Sequence, residues 1–326
     1  MRLEYRRVDW PFKTVFRIAY AARGCTESVL VEVSDGSLTG RGEAVGVPYH
    51  GETADSIMEQ LATVQHGLAN QGVPLDRYAS ELPPGGARNA IDCALWDLKA
   101  KRAGCRAWEL AGIPKVVPLV TAFTLGIDSP SATGEAAEAA KQYCVLKVKL
   151  SGEEDLQRVT AVRRARPEAD IIVDANNAWN QRQLVELTPR LAELNVKLIE
   201  QPLPPDQDDI LADYDSPVPF CADESCQCTE SLPSLVGKYQ YINIKLDKTG
   251  GLTEALRLAR AATRQNFRLM VGCMAGSSLS MAPAFVVGQL CTVIDLDGPL
   301  LSTSDVANGI RYDGSRMYPP EASLWG

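Results

Sequence analysis

The chain has 326 residues, 45% hydrophobic and 23% charged, an ordinary balance for a folded globular protein with room for more than one domain. A formal net charge of −8 and a sequence pI near 5.0 count against a nucleic-acid partner, which needs clustered Lys and Arg. The start, Met1-Arg2-Leu3-Glu4-Tyr5-Arg6-Arg7, lacks the apolar core of a secretory leader, and no run nears the roughly 18 apolar residues of a membrane span, so no membrane partner is expected.

In chain order, residues 2–9 and 28–34 carry strand patterns, Asp35-Gly36 signals a hairpin turn, and Thr39–Ala44 reads as the returning strand of an antiparallel meander. Residues 19–27 and 46–53 are rich in Gly and small side chains and read as lid loops. Ala87, Ile91, Ala94, Leu95 and Leu98 share one stripe, which predicts a helix over 87–103 that stops at Gly104. These elements form an α+β capping domain, residues 1–114, bounded by Gly112-Ile113-Pro114.

Beyond that boundary the strand candidates are Val116–Ala122, Val145–Lys149, Ile171–Asp174, Lys197–Glu200, Phe220–Asp223, Tyr241–Lys245, Arg268–Val271 and Thr292–Asp295. Helical stretches such as Leu156–Arg166 and Thr253–Arg264 separate them. Strand and helix alternating in this way predict an α/β fold, a modified TIM barrel of (β/α)7β form over residues 115–300. Gly298-Pro299 breaks the chain where the last helix belongs, so residues 301–326 are expected to return to the capping domain. Nine scattered cysteines without a CxxC read as reduced thiols in a cytoplasm. Cys226 and Cys228 lie two apart, but no second pair supplies the other ligands of a zinc site.

Charged residues stand at the ends of successive strands. From Lys149 to Asp174, Glu200, Asp223 and Lys245 the steps are 25, 26, 23 and 22 residues, the length of one strand-helix unit. Asp174, Glu200 and Asp223 would converge at the barrel rim, where like charges are costly unless a divalent cation compensates them. An all-oxygen set favours Mg²⁺, one per subunit. Lys147 and Lys149, at i and i+2 on a strand, point to the barrel interior, and Lys245 lies across from them. Burial and cationic neighbours are expected to lower a lysine's pKa toward neutrality, as a general base requires. Two bases facing each other across a metal imply a 1,1-proton transfer through an enediolate, hence racemisation or epimerisation.

Lys147-x-Lys149, Asp174-Ala175-Asn176, Glu200-Gln201-Pro202, Ala222-Asp223-Glu224-Ser225 and Asn243-Ile244-Lys245 resemble the muconate-lactonizing subgroup of the enolase superfamily. The resemblance implies that Asp174, Glu200 and Asp223 bind Mg²⁺, that Lys149 and Lys245 are the acid/base pair, and that Lys147 helps hold the substrate carboxylate. Asp295-x-Asp297, two carboxylates on one face of the last strand, call for a cation such as the α-ammonium of a dipeptide. This pair is similar to the signature of dipeptide epimerases, especially those acting on L-Ala-D/L-Glu, isomerases of murein peptide metabolism. Arg23 is then a candidate for the glutamate side-chain carboxylate. The alternatives are a lyase or cycloisomerase of the same superfamily, of the o-succinylbenzoate synthase or muconate cycloisomerase type, or an epimerase for a different dipeptide. Ala275 stands where many subgroup members carry a polar or acidic residue, and His50 is given no role. A homo-oligomer is open.

Overall fold

The structure is a computed structural model that describes residues 1–71 and 74–326. Its first part is an antiparallel sheet of β1 (Arg2–Ile18), β2 (Ala21–Ser34) and β3 (Thr39–Ala44), backed by α1 (Ala54–Gln71), α2 (Leu75–Glu81), α3 (Gly86–Ala103) and α4 (Ala107–Leu110). Val29, Val31 and Val33 of β2 pack against Ile57 and Leu61 of α1 and Ile91 and Leu98 of α3. The helix α3 lies directly on β3 because Gly40 and Gly42 have no side chain; a Cβ there would meet the Ala94 and Ala90 carbonyl oxygens at 2.0 and 2.1 Å. As the periodicity predicts, α3 ends at Ala103, with Gly104 left-handed at φ 62°.

Residues 19–27 are not a loop. β1 and β2 continue past the sheet as a ribbon whose turn is Ala19-Tyr20. Pairing runs from Arg2↔Ser34 to Pro11↔Cys25, shifts register, and resumes from Phe16↔Arg23 to Ile18↔Ala21. Small residues suggested a loop, but a long β-ladder and a rim to lie on hold them extended. The Ile127 N–H donates to the Arg17 carbonyl at 2.9 Å, Thr303 N–H to Pro11 at 2.8 Å, and the Lys13 ammonium to Leu300 at 2.8 Å.

The second part is a parallel eight-stranded sheet, β5 (Phe123–Leu125), β6 (Val145–Lys149), β7 (Asp170–Asp174), β8 (Val196–Glu200), β9 (Phe220–Ala222), β10 (Tyr241–Ile244), β11 (Arg268–Val271) and β12 (Val293–Ile294), each paired to the next. The Ala122 N–H reaches the Ile294 carbonyl at 2.8 Å and closes the ring. The first barrel strand is therefore shifted relative to Val116–Ala122. Within that span β4 (Leu119–Val120) pairs instead with the tail strand β14 (Arg316–Met317), which pairs with β13 (Tyr312–Asp313). The apolar run Val116–Ala122 has two uses, and only its last residue enters the ring.

Outside the ring lie α5 (Pro130–Ala139), α6 (Asp155–Ala165), α7 (Gln181–Glu193), the short α8 (Leu232–Leu235), α9 (Leu246–Thr249), α10 (Leu252–Arg264) and α11 (Ser278–Gly288). A 3-10 turn, Asp208–Asp213, takes the place of a full helix after β8. After β12 there is only the four-residue α12 (Gly298–Leu301). The tail then crosses to α3, where Trp325 is buried and its indole N–H donates to the Cys93 carbonyl at 3.1 Å. Among the described residues no helix is long and apolar enough to cross a membrane.

Candidate active site

Inside the ring, Ala122, Val145, Ile172, Leu198, Cys221, Tyr241, Met270 and Val293 form an apolar floor. Strand side chains alternate, so the residue two further along each strand faces the same interior one layer nearer the rim. That layer is Thr124, Lys147, Asp174, Glu200, Asp223, Asn243, Gly272 and Asp295. One strand period thus turns a dry floor into a ring of polar groups. Lys149, Lys245 and Asp297 follow at the mouth. Lys149 on β6 and Lys245 at the end of β10 are four strands apart in a ring of eight, on opposite sides.

The Lys147 ammonium, 1% exposed, lies 2.7 Å from Asp295 Oδ2, 2.7 Å from Glu200 Oε2 and 3.1 Å from Asp174 Oδ2. Lys149 donates to Asp174 Oδ2 at 2.6 Å and to Asn176 Oδ1 at 3.2 Å. Lys245 donates to Asp223 Oδ2 at 2.6 Å, and Lys248 to Asp223 Oδ1 at 2.6 Å. Asn243 Nδ2 donates to Glu200 Oε1 at 2.7 Å. At the last strand, Thr124 N–H donates to Asp297 Oδ2 at 2.7 Å and Thr124 Oγ1 to Asp295 Oδ1 at 3.4 Å.

The electrostatics correct one expectation: Lys147 and Lys245 are not drawn toward neutrality. Burial pushes both down, but Asp295, Glu200 and Asp174 outweigh it at Lys147, and Asp223 and Glu200 at Lys245, so both rise above the ordinary lysine value. Burial pushes the carboxyls up; at Asp174, Lys149 and Lys147 reverse this and bring it to about 2, and at Asp223, Lys245 and Lys248 hold it below the usual range. Elsewhere burial and neighbouring carboxylates prevail. Glu200 is pushed up to about 7, beside Asp174, and Glu224 to about 8, beside Asp223. Asp297 rises to about 7 through burial and Asp295, against the Thr124 hydrogen bonds.

A cavity joins this rim to the ribbon and the 46–53 loop. Phe12, Phe16, Ile18, Tyr20, Ala21 and Arg23 line it from the ribbon, and Pro48 and Tyr49 from the loop. Phe16, Ile18, Ala21 and Arg23 share a face because they are cross-strand partners at alternate positions. Lys147, Lys149, Asp223, Lys245, Asp295, Asp297 and Arg23 all meet in this cavity. Asp174 and Glu200 lie beneath it, almost fully buried. His50 stacks edge-on against Tyr49, with ring centroids 4.7 Å apart. Cys226 and Cys228 are free thiols.

Among the described residues no three His, Cys, Asp or Glu side chains stand together as a ready metal shell; ammonium groups lie against the carboxylate oxygens instead. The donor set nevertheless fits a hard cation. Glu200 Oε2 is near the Lys147 ammonium but out of line for a hydrogen bond, and is a buried oxygen without a hydrogen-bond partner. Burial first, and neighbouring carboxylates second, raise Glu200 and Glu224, a cost that a bound cation would relieve. Sequence reasoning assigns no role to Lys248, Asn243, Asn176 or Thr124. Asn176 and Asn243 stand inside the quoted motifs, whereas Lys248 and Thr124 carry no local signal of their contacts.

Residues 2–112 match the mandelate racemase / muconate lactonizing enzyme N-terminal domain, and residues 132–323 the enolase C-terminal domain-like family. The chain is 41% identical over 299 residues to an N-acetyl-D-glutamate racemase of Pseudoalteromonas, covering 91% of this chain and 95% of that one. It is 39% identical over 311 residues to the L-Ala-D/L-Glu epimerase of Escherichia coli K12, covering 95% and 97%. It superposes at a TM-score of 0.94, with 42% identity and 99% of each chain covered, on an enolase family member from Agrobacterium tumefaciens with homology to dipeptide epimerases, solved with sodium and L-Ala-L-Glu bound and an ordered loop.

Proposed function

Because the chain belongs to the enolase superfamily, with the paired domains of the mandelate racemase / muconate lactonizing enzyme family, we propose that it is a Mg²⁺-dependent dipeptide epimerase acting on L-Ala-D/L-Glu. Asp174, Glu200 and Asp223 would hold the metal. When bound, it offsets the negative charge that builds on the substrate carboxylate as the α-proton leaves. Lys147 donates to the same carboxylate. One of Lys149 and Lys245, as the free amine, takes the proton from the α-carbon of the C-terminal residue, and the bonding pair moves into the carboxylate system; for Lys245 this form would require the metal to offset the Asp223 and Glu200 charge that raises it. The other, as the ammonium, returns a proton on the opposite face and inverts the centre. Asp295 and Asp297 bind the α-ammonium of the first residue, and Arg23 binds the glutamate side chain.

The observation that carries this reading is the meeting, in one cavity, of two opposed lysines with the Asp295–Asp297 pair. A lyase has no use for an anionic pair there, and Asp297→Asn would leave a lyase active. Free thiols at all nine cysteines fit a reducing cytoplasm, where murein-derived dipeptides are recycled. The test is incubation with L-Ala-D-Glu and with L-Ala-L-Glu in D₂O and Mg²⁺, followed by proton NMR. Loss of the glutamate α-proton signal from both is expected, and retention in both would overturn the reading.

A second reading is racemisation of an N-acylated glutamate. It is favoured by the 41% identity to an N-acetyl-D-glutamate racemase, and Asp297, raised by burial and Asp295, could donate to an acyl oxygen when protonated. Turnover of N-acetylglutamate at a kcat/KM above that of the dipeptide would select it.

A further inference from the structure

Each of the three proposed ligand carboxylates has one oxygen engaged by a protein donor that is not one of the acid/base pair. Asp174 Oδ1 accepts the Asn176 N–H at 3.0 Å, Glu200 Oε1 accepts Asn243 Nδ2 at 2.7 Å, and Asp223 Oδ1 accepts the Lys248 ammonium at 2.6 Å. The oxygens left over are Asp174 Oδ2 and Asp223 Oδ2, which meet Lys149 and Lys245, and Glu200 Oε2, which lies 2.7 Å from the Lys147 ammonium without an aligned hydrogen bond. We propose that Asn243 and Lys248 are positioning residues for the metal site: each turns one carboxylate so that a single oxygen is presented to the cation. This rests on the metal-dependent reading above.

Both side chains are buried and held in place for these contacts. Lys248 is 2% exposed, and its hydrogen bonds go to Asp223 Oδ1, to the Asp223 carbonyl at 2.6 Å and to the Asn243 carbonyl at 2.9 Å. Gln201 Oε1 accepts the Asp223 N–H at 2.9 Å from the other side, so Asp223 is fixed through its main chain and one carboxylate oxygen together. Asn243 is fully buried, and its Oδ1 has no partner, so the amide is held there for what Nδ2 does. The room for it comes from the next strand: a Cβ on Gly272 would meet Asn243 Oδ1 at 2.7 Å and Lys245 Cε at 3.0 Å. Mg²⁺ demands near-octahedral geometry and keeps positions for waters and substrate. A carboxylate free to rotate could engage it with both oxygens and take one of those positions; a carboxylate tied by one oxygen does not.

The experiment is calorimetric titration of MgCl₂ into metal-stripped parent, Asn243→Ala and Lys248→Met proteins, with thermal unfolding measured on each without metal. Weaker Mg²⁺ binding by on the order of ten- to a hundredfold is expected in both variants. Turnover should be largely restored when Mg²⁺ is raised by the same factor. If Lys248→Met does not fold, Asn243→Ala decides alone. A folded Asn243→Ala protein that binds Mg²⁺ within twofold of the parent, with only its unfolding temperature lowered, overturns the positioning role and leaves the epimerase reading standing. A parent protein that binds no Mg²⁺ overturns both.

Discussion

In the proposed reaction Lys149 and Lys245 would serve opposite faces of the substrate, and substitution should expose that division. Lys149→Ala and Lys245→Ala should each lose epimerisation by roughly 10²–10⁴-fold. In D₂O, however, each variant should still exchange the α-proton of one epimer without inverting it, and the two should retain opposite epimers, as NMR on the separate dipeptides will show. Asp297 supplies a pH dependence. Its carboxyl is raised to about 7, chiefly by burial and then by Asp295, so it is neutral below that pH and anionic above. An ammonium needs the anion, so kcat/KM for the dipeptide should climb as pH rises through about 7, and Asp297→Asn should flatten that climb while lowering the plateau. The side chains proposed for the chemistry stand out in the sequence because charged strand ends recur at a nearly constant step. Their helpers are not. Lys248 sits on an ordinary short helix and is told from a surface lysine only by the folded contacts of its ammonium. The direction of the Lys147 and Lys245 shifts also escapes sequence reasoning, since it depends on which carboxylates win against burial.

Elements were readable where one period serves one purpose. The β6, β7, β8 and β10 stretches alternate cleanly between floor, rim and outer core, and α3 shows its stripe and its stop. The ribbon and the first barrel strand escape sequence reasoning because their partners are distant: the ribbon lies on the loops after β5 and β12, and β4 belongs to the tail. The 46–53 loop is likewise fixed from outside. Asp247, at the start of α9, accepts the Val45 and Gly46 N–H groups at 3.0 and 2.9 Å and so pins the cap to the barrel beside Lys245. Burial, with Glu52 adding to it, lifts this carboxyl from 3.8 to about 7 despite those bonds. A raised acid is favoured in the folded state as the neutral form, so its contribution to stability falls as pH rises from about 4 to 7 and is level above. Asp247→Asn keeps an acceptor without the charge, and its unfolding temperature relative to the parent should improve between pH 5 and pH 8. Asp247→Ala strands two N–H groups, at a cost of about 1–3 kcal/mol in denaturant titration, and should raise KM.

At the scale of the molecule, the two halves are sewn together at both ends of the chain. The ribbon reaches from the cap to the rim, and the tail returns from the barrel to α3. There Asp97 accepts the Gly326 N–H at 2.7 Å, and Arg106 donates to the Pro320 carbonyl at 2.7 Å. Trp325 fills the junction. Trp325→Ala should cost about 3–5 kcal/mol, read from urea unfolding, and circular dichroism should still follow a single transition rather than a cap released from an intact barrel. The ribbon has a consequence of another kind. Its pocket face is set by alternation, so its reach changes only in pairs of residues: one residue inserted between Arg23 and Cys25 turns the guanidinium to the opposite face, whereas two restore its side but carry it about 6–7 Å along the strand. If Arg23 reads the second amino acid as proposed, that choice is a matter of parity before it is a matter of chemistry, and relatives that accept different dipeptides should differ here by even steps in length or by exchanges at positions 16, 18, 21 and 23.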